Sequence, residues 1–248
     1  MRYRVEGKRI EESLLWAKEY ARKNGMLVHM HLSETKKEAE DCIREHKMRP
    51  VEYLDKIGFL APNVVCAHSV WLDDKEIRLL AKNGVKVVNC PTSNMKLAVG
   101  SALRYEELKN AGITVALGTD GCASNNNLDM LEAMKFASLL QKFHNNNQTI
   151  LPAGDAVEMA TANGAKALGL NAGAIRKGAL ADIILIDLKK PQLTPNHNLK
   201  SDIVYAANGN CVDTVVCDGR ILMEGGKVEG EAELVEKAKE EAVKLIQR

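Results

Sequence analysis

The first 145 residues repeat one grammar: a short apolar run, a polar loop, an amphipathic helix, a glycine or polar turn, then another apolar run. The runs are "MLVHMHL" (26–32), "NVVCAHSV" (63–70), "VKVVNC" (85–90) and "ITVALGTD" (113–120). Between and around them the pattern predicts helices over "IEESLLWAKEYARKNG" (10–25), "ETKKEAEDCIREH", "RPVEYLDKIG", "DDKEIRLLAKNG", "ALRYEELKNAG" and "NLDMLEAMKFASLLQKFH". In the first of these Ile10, Leu14, Ala17 and Ala21 recur at helical spacing and Gly25 marks the stop. Such alternation builds a parallel sheet, and strands that are apolar throughout are those covered on both faces.

Every run ends in polar residues. These are His31, Ser33 and Glu34; His68; Asn89, Thr92, Ser93 and Asn94 across a polar loop; and Thr119, Asp120 and Ser124. In a (β/α)8 barrel the working groups come from the C-terminal ends of several strands. A whole barrel takes eight such units and roughly 200–250 residues. Four units are present, so the expected α/β architecture is half of a TIM-type barrel, with two sheet edges that need covering or pairing.

After residue 150 the grammar changes. One helix is expected over "PAGDAVEMATANGAKALGL" (152–170), followed by β-rich segments "GALADIILIDL", "DIVYAANG" and "CVDTVVCDGRILMEGGKV", with hairpin turns at "DGR" and "EGGK". A charged helix, "EAELVEKAKEEAVKLIQR", closes the chain. The expected division is a partial barrel at 1–170, part of a small β-sandwich at 171–230 and a terminal helix at 231–248.

Composition narrows the function. With 34 basic against 33 acidic side chains and 4% aromatics, nothing favours nucleic acid or an anionic membrane. The polar opening "MRYRVEGKRIEE" does not read as a signal peptide, and no 18-residue apolar run suggests a membrane span. Six scattered cysteines without a C-x-x-C pair fit a reducing cytoplasm.

His31, Glu34, His68 and Asp120 then stand out together. Imidazole and carboxylate are ligands for zinc and similar ions, and a catalytic ion keeps one position for water. A nearby carboxylate can move a proton to a leaving group. Each residue also has a structural alternative: a satisfied strand histidine, a turn or cap aspartate in "GTDG", a helix-entry glutamate. Their common position at strand ends favours chemistry. His29 shares a strand face with His31 and is expected one layer deeper, in a buried supporting role.

The segments "VHMHLSET", "CAHSVWLDDKEI", "NCPTSNMKLAVG" and "ALGTDGCASNNNLDM" resemble the metal-dependent amidohydrolase superfamily. Within it they are most similar to the 5-methylthioadenosine/S-adenosylhomocysteine deaminases, including archaeal 5'-deoxyadenosine deaminases. The resemblance implies a metal-ligand role for His31, at the end of strand five, and for Asp120, at the end of strand eight. It implies that Glu34 moves protons, that His68 contacts the attacking hydroxide or the substrate, and that Ser124 contacts the substrate. It further implies one divalent metal (zinc, with iron or manganese as alternatives), a nucleoside substrate, a homo-oligomer, and deamination of adenine nucleosides to the inosine analogue plus ammonia. The family's first-strand H-x-H, which supplies two more ligands, has no counterpart here; "HMH" precedes Ser-Glu-Thr and so belongs to strand five. The chain is therefore expected to be the C-terminal portion of such an enzyme.

Three other readings compete. A sister enzyme acting on guanine or a triazine shares the same core residues. A non-catalytic half-barrel would pair with a partner chain, and a nucleoside-binding module would need no metal. A cytidine-type zinc deaminase is excluded, since H-x-E and P-C-x-x-C are both missing.

Overall fold

The computed structural model describes residues 8–246; the first seven residues of the polar opening and the last two of the expected terminal helix, Gln247 and Arg248, lie outside the described residues. Helix α1 (Lys8–Lys23) leads into β1 (Val28–Leu32), α2 (Lys36–His46), α3 (Pro50–Lys56), β2 (Val64–His68), α4 (Asp74–Lys82) and β3 (Lys86–Asn89). Then come α5 (Pro91–Lys96), α6 (Tyr105–Asn110), β4 (Val115–Leu117), α7 (Cys122–Asn125) and α8 (Met130–His144). The four strands form one parallel sheet in the order β1-β2-β3-β4. Side-chain caps set the helix starts: Thr35 accepts from Glu38 N, Asp73 and Glu76 form a reciprocal capping box, and Asp129 accepts from Leu131 N and Glu132 N.

Strand periodicity sorts the sheet into two faces. Leu32, Val64, Cys66, Val87, Val115 and Leu117 lie in one core with Leu80, Leu103, Leu108 and Met134 from the helices. The register puts His29 and His31 on the opposite face, alongside Val65, Ala67, Val88 and Ala116.

Three segments differ from expectation. The loop after β3 contains α5, which Pro91 starts by occupying a first-turn position whose N–H needs no partner. The helix expected over 152–170 is two, α9 (Ala153–Ala160) and α10 (Ala162–Leu168), with Thr161 between them at φ −126° and ψ −91°. Thr161 Oγ1 donates to Val157 O at 2.7 Å, a side-chain bond that competes with the helical ladder. Gly173 packs into the break: a Cβ there would sit 2.8 Å from Thr161 O and from Ala162 Cα.

The chain continues through β5 (Ile183–Ile186), α11 (Leu199–Tyr205), β6 (Val212–Cys217), β7 (Arg220–Met223) and α12 (Glu231–Ile246). The three strands make an antiparallel sheet, β5-β6-β7, with Asp218 and Gly219 both at positive φ in the β6–β7 turn. "DIVYAANG", expected as β-rich, begins within α11. Asn198 caps that helix, Val204 is fully buried, and the Tyr205 hydroxyl lies 2.7 Å from Ser138 Oγ. Packing against α8 and α9 overrides the β preference of Ile203 and Val204. The core therefore does not stop at residue 170; Leu193, Val204, Ala207 and Cys211 belong to it. Among the described residues, no helix is long and apolar enough to cross a membrane.

Candidate functional site

All four strands of the parallel sheet end at one rim, and there the backbone leaves the ordinary regions. Ser33, His68, Ser69 and Asp120 have φ of 48°, 66°, 51° and 61°. Non-glycine residues pay about 1–3 kcal/mol for such conformations, which persist where the surroundings over-determine them. Each turns the chain sharply as it leaves the sheet. Five buried polar atoms at the same rim have no hydrogen-bond partner among the described residues: Ser33 Oγ, Ser69 Oγ, Thr92 Oγ1, Asn94 Nδ2 and Asn125 Oδ1. Native interiors leave few such atoms unpaired.

Below the rim is a cleft of 190 Å³ bordered by His29, His31, Ala67, Cys90, Gly118 and Asp120, among others. The His31 and His68 rings stack at 5.2 Å between centroids, 14° from parallel. His68 is buried, and its Nδ1 lies 2.8 Å from Asn94 Oδ1. His29 is exposed on the cleft face, not buried beneath His31 as expected, because no second layer of the described residues covers that face of β1. Partial desolvation, then the neighbouring His31 and His68, lower its pKa from the ordinary histidine value and favour the neutral ring.

Asp120 is held by three donors. Ser93 Oγ and Ser124 Oγ donate to Oδ2 at 2.6 and 2.7 Å, and the Gly121 N–H donates to Oδ1 at 2.7 Å. Burial alone would raise the carboxyl pKa; these bonds, with His68 nearby, outweigh it and hold Asp120 below its ordinary value. Ser124, expected at the substrate, thus contacts Asp120. Glu34 is partly exposed, and its backbone N–H, like that of Ser33, donates to the Glu38 carboxylate, at 2.9 and 2.6 Å respectively. The Cys90 thiol is pushed up to about 12 by burial and then by the charges of Asp120 and Glu34.

The structure thus brings His29, His31 and Asp120 to one cleft, with His68 stacked behind and Glu34 at the β1 corner. Sequence reasoning did not identify Glu38, Ser93 or Asn94 as their holders. Thr35-x-x-Glu38 carries a legible signal, that of a helix cap. Imidazole and carboxylate suit zinc in kind, but a catalytic zinc takes three protein ligands. Among the described residues no three His, Cys, Asp or Glu side chains gather closely enough to hold an ion. These residues alone therefore do not make a complete metal site.

The chain is 52% identical over 237 residues to 5-methylthioadenosine/S-adenosylhomocysteine deaminase 1 of Archaeoglobus fulgidus, covering 94% of this chain and 56% of that one. It is 52% identical over 237 residues to 5'-deoxyadenosine deaminase of Methanoregula boonei, covering 96% and 54%. The chain spans about half the length of these curated relatives. The crystal structure of an adenosine deaminase from Xanthomonas campestris with bound zinc superimposes with a TM-score of 0.92 at 33% identity, over 96% of this chain and 55% of the other. A sequence model of the amidohydrolase family matches residues 10–222, and the chain, with its parallel sheet and polar strand-end rim, belongs to that family.

Proposed function

We propose that this chain carries part of the active site of a metal-dependent deaminase of adenine nucleosides, among them 5-methylthioadenosine, S-adenosylhomocysteine and 5'-deoxyadenosine. The reading rests on one observation above all: imidazoles and an ionised carboxylate meet at the C-terminal rim of a parallel sheet in an amidohydrolase. On this reading the chain corresponds to strands five to eight of a TIM-type barrel, with the β5-β6-β7 sheet as part of a small β domain. Elements outside this chain supply the remaining ligands. Among the described residues no three such donors gather, in keeping with that division.

In the completed site His31 and Asp120 are metal ligands, zinc being the first choice because the Xanthomonas relative holds it. A bound divalent ion makes water acidic enough to react near neutral pH. This chain's own residues do the rest. Asp120, kept ionised by Ser93, Ser124 and Gly121, accepts a proton from the attacking water. Glu34 carries a proton to the ring nitrogen and on to the departing ammonia, a role that suits a partly exposed carboxylate beside the cleft. His68 turns Nε2 toward the reacting groups, and Ser124 adds a contact at the same edge. His29 lines the cleft as a neutral side chain.

The test is a chimera in which the part of the Archaeoglobus relative unmatched by this chain is joined ahead of it. Deamination is followed by the absorbance change from adenine to hypoxanthine. The chimera is expected to deaminate 5-methylthioadenosine or 5'-deoxyadenosine, and Glu34→Gln is expected to cost about 100-fold or more. A folded, zinc-loaded chimera inert toward these nucleosides would overturn the reading.

A further inference from the structure

The segment "NCPTSNMKLAVG" is as distinctive as the other rim segments, yet it holds no histidine or carboxylate, and beyond the hydrogen bond from Ser93 to Asp120 the proposed chemistry gives it no part. Topology explains what it can do. β3 lies between β2, which ends in His68, and β4, which leads into Asp120. The first turn of α5, directly beyond β3, therefore sits between those two residues. Ser93 and Asn94 are consecutive in it, so their side chains diverge by about 100° around the helix axis. Ser93 turns toward β4 and donates to Asp120 Oδ2 at 2.6 Å, whereas Asn94 turns toward β2 and meets His68 Nδ1 at 2.8 Å. Ser93 is 0% exposed and Asn94 2% exposed. The turn is itself anchored, Asn94 N donating to Cys90 O and Val99 N to Asn94 O. Trp71, three residues beyond His68, donates from Nε1 to Val99 O and ties the segment that follows α5 to the segment that follows β2.

A carbonyl oxygen only accepts hydrogen bonds. With Asn94 Oδ1 facing the ring, a hydrogen bond between the two needs the proton on Nδ1, which leaves Nε2 its lone pair. We infer that Asn94 is a positioning residue that sets the tautomer and ring orientation of His68, acting from the same turn that steadies Asp120 through Ser93. This rests on the proposed function for its purpose, but not for its measurement. The partner of one imidazole nitrogen decides what the other can do. Here it leaves Nε2 an acceptor, able to take a proton or hold a water, and not a donor.

The experiment is long-range ¹⁵N–¹H correlation NMR of the labelled chain, with the His68 signals identified by their loss in His68→Gln. The wild-type ring is expected as the Nδ1–H form. Asn94→Leu, close in size but without an acceptor, should lose that preference. Asn94→Asp, which restores an acceptor, should recover it, and Ser93→Ala should leave the His68 signals in place. A wild-type ring in the Nε2–H form overturns the inference, as does an Nδ1–H form that survives in folded Asn94→Leu. Should Asn94→Leu fail to fold, the wild-type spectrum still decides. Because no turnover is read, a chain that keeps the Asn94-dependent tautomer but belongs to an enzyme inert on nucleosides would sink the functional reading and leave this one standing.

Discussion

Glu76 is a carboxylate with no exposure to solvent, and its removal should be among the most costly single changes in the chain. Oε1 accepts from Val51 N at 3.1 Å; Oε2 accepts from Arg49 Nε at 2.6 Å and Asp73 N at 3.1 Å. Arg49 in turn donates to Trp71 O, so the cluster joins α3 and α4 to the loop that leaves the rim after His68. Glu76→Ala strands two backbone N–H groups, at about 1–3 kcal/mol each. Arg49 contributes less to the loss, because it is partly exposed and keeps Asp73 at 3.1 Å. The expected loss is about 3–5 kcal/mol, and about half that for Glu76→Gln, which retains one acceptor. The charge itself is not the stabiliser. Burial raises the Glu76 pKa above its ordinary 4.5, against the opposing effects of Arg49 and the Val51 and Asp73 N–H groups. A carboxyl raised in the folded state contributes stability that is complete below the unfolded value and is lost as pH rises through the folded value. The deficit of Glu76→Gln relative to wild type should therefore be largest below pH 4.5 and shrink toward neutrality. Urea unfolding of the three proteins at several pH values measures both quantities. A loss under about 1 kcal/mol for Glu76→Ala, or a Glu76→Gln deficit that grows with pH, would refute the reasoning.

Asp129 caps α8 and also accepts from Gly209 N at 2.7 Å, so it joins α8 to the approach to β6. Asp129→Ala should cost about 1–2 kcal/mol in urea unfolding, and an unchanged midpoint would show that the cap contributes nothing. Gly173→Ala should lower the melting temperature by several degrees, about 2–4 °C for each kcal/mol, because its Cβ would meet the Thr161 and Ala162 backbone at a φ of +80°. Cys122 and Cys217 are exposed, whereas Cys66 and Cys90 are buried with thiols pushed up to about 12. Under native conditions an aromatic disulfide reagent should label the first pair quickly and the second only on unfolding; rapid labelling of Cys90 would mean that the cleft opens.

The sheet was legible because its strands are uniformly apolar and bounded by turn residues, and the rim because His31, His68 and Asp120 interrupt that apolarity at matching positions. The holders of those residues were not. Ser93 and Asn94 matter because β3 lies between β2 and β4, and strand order is a tertiary fact that no local pattern states. α5 was hidden by Pro, Thr, Ser and Asn, which read as loop until Pro91 is seen at a helix start. α11 was hidden by Ile203 and Val204, whose strand preference yields to packing on α8 and α9. The break at Thr161 depends on one hydroxyl turning back on its own helix and on Gly173 closing in from outside. His29 was expected buried on strand period alone, which gives a face but not what covers it.

The claim that this chain holds a share of a metal site, and not the whole, is tested most directly by elemental analysis of the purified 248-residue chain after equilibration with zinc and dialysis. The account predicts zinc well below one per chain and no measurable deamination of 5-methylthioadenosine. One firmly retained zinc per chain, with turnover abolished by Asp120→Ala, would contradict it.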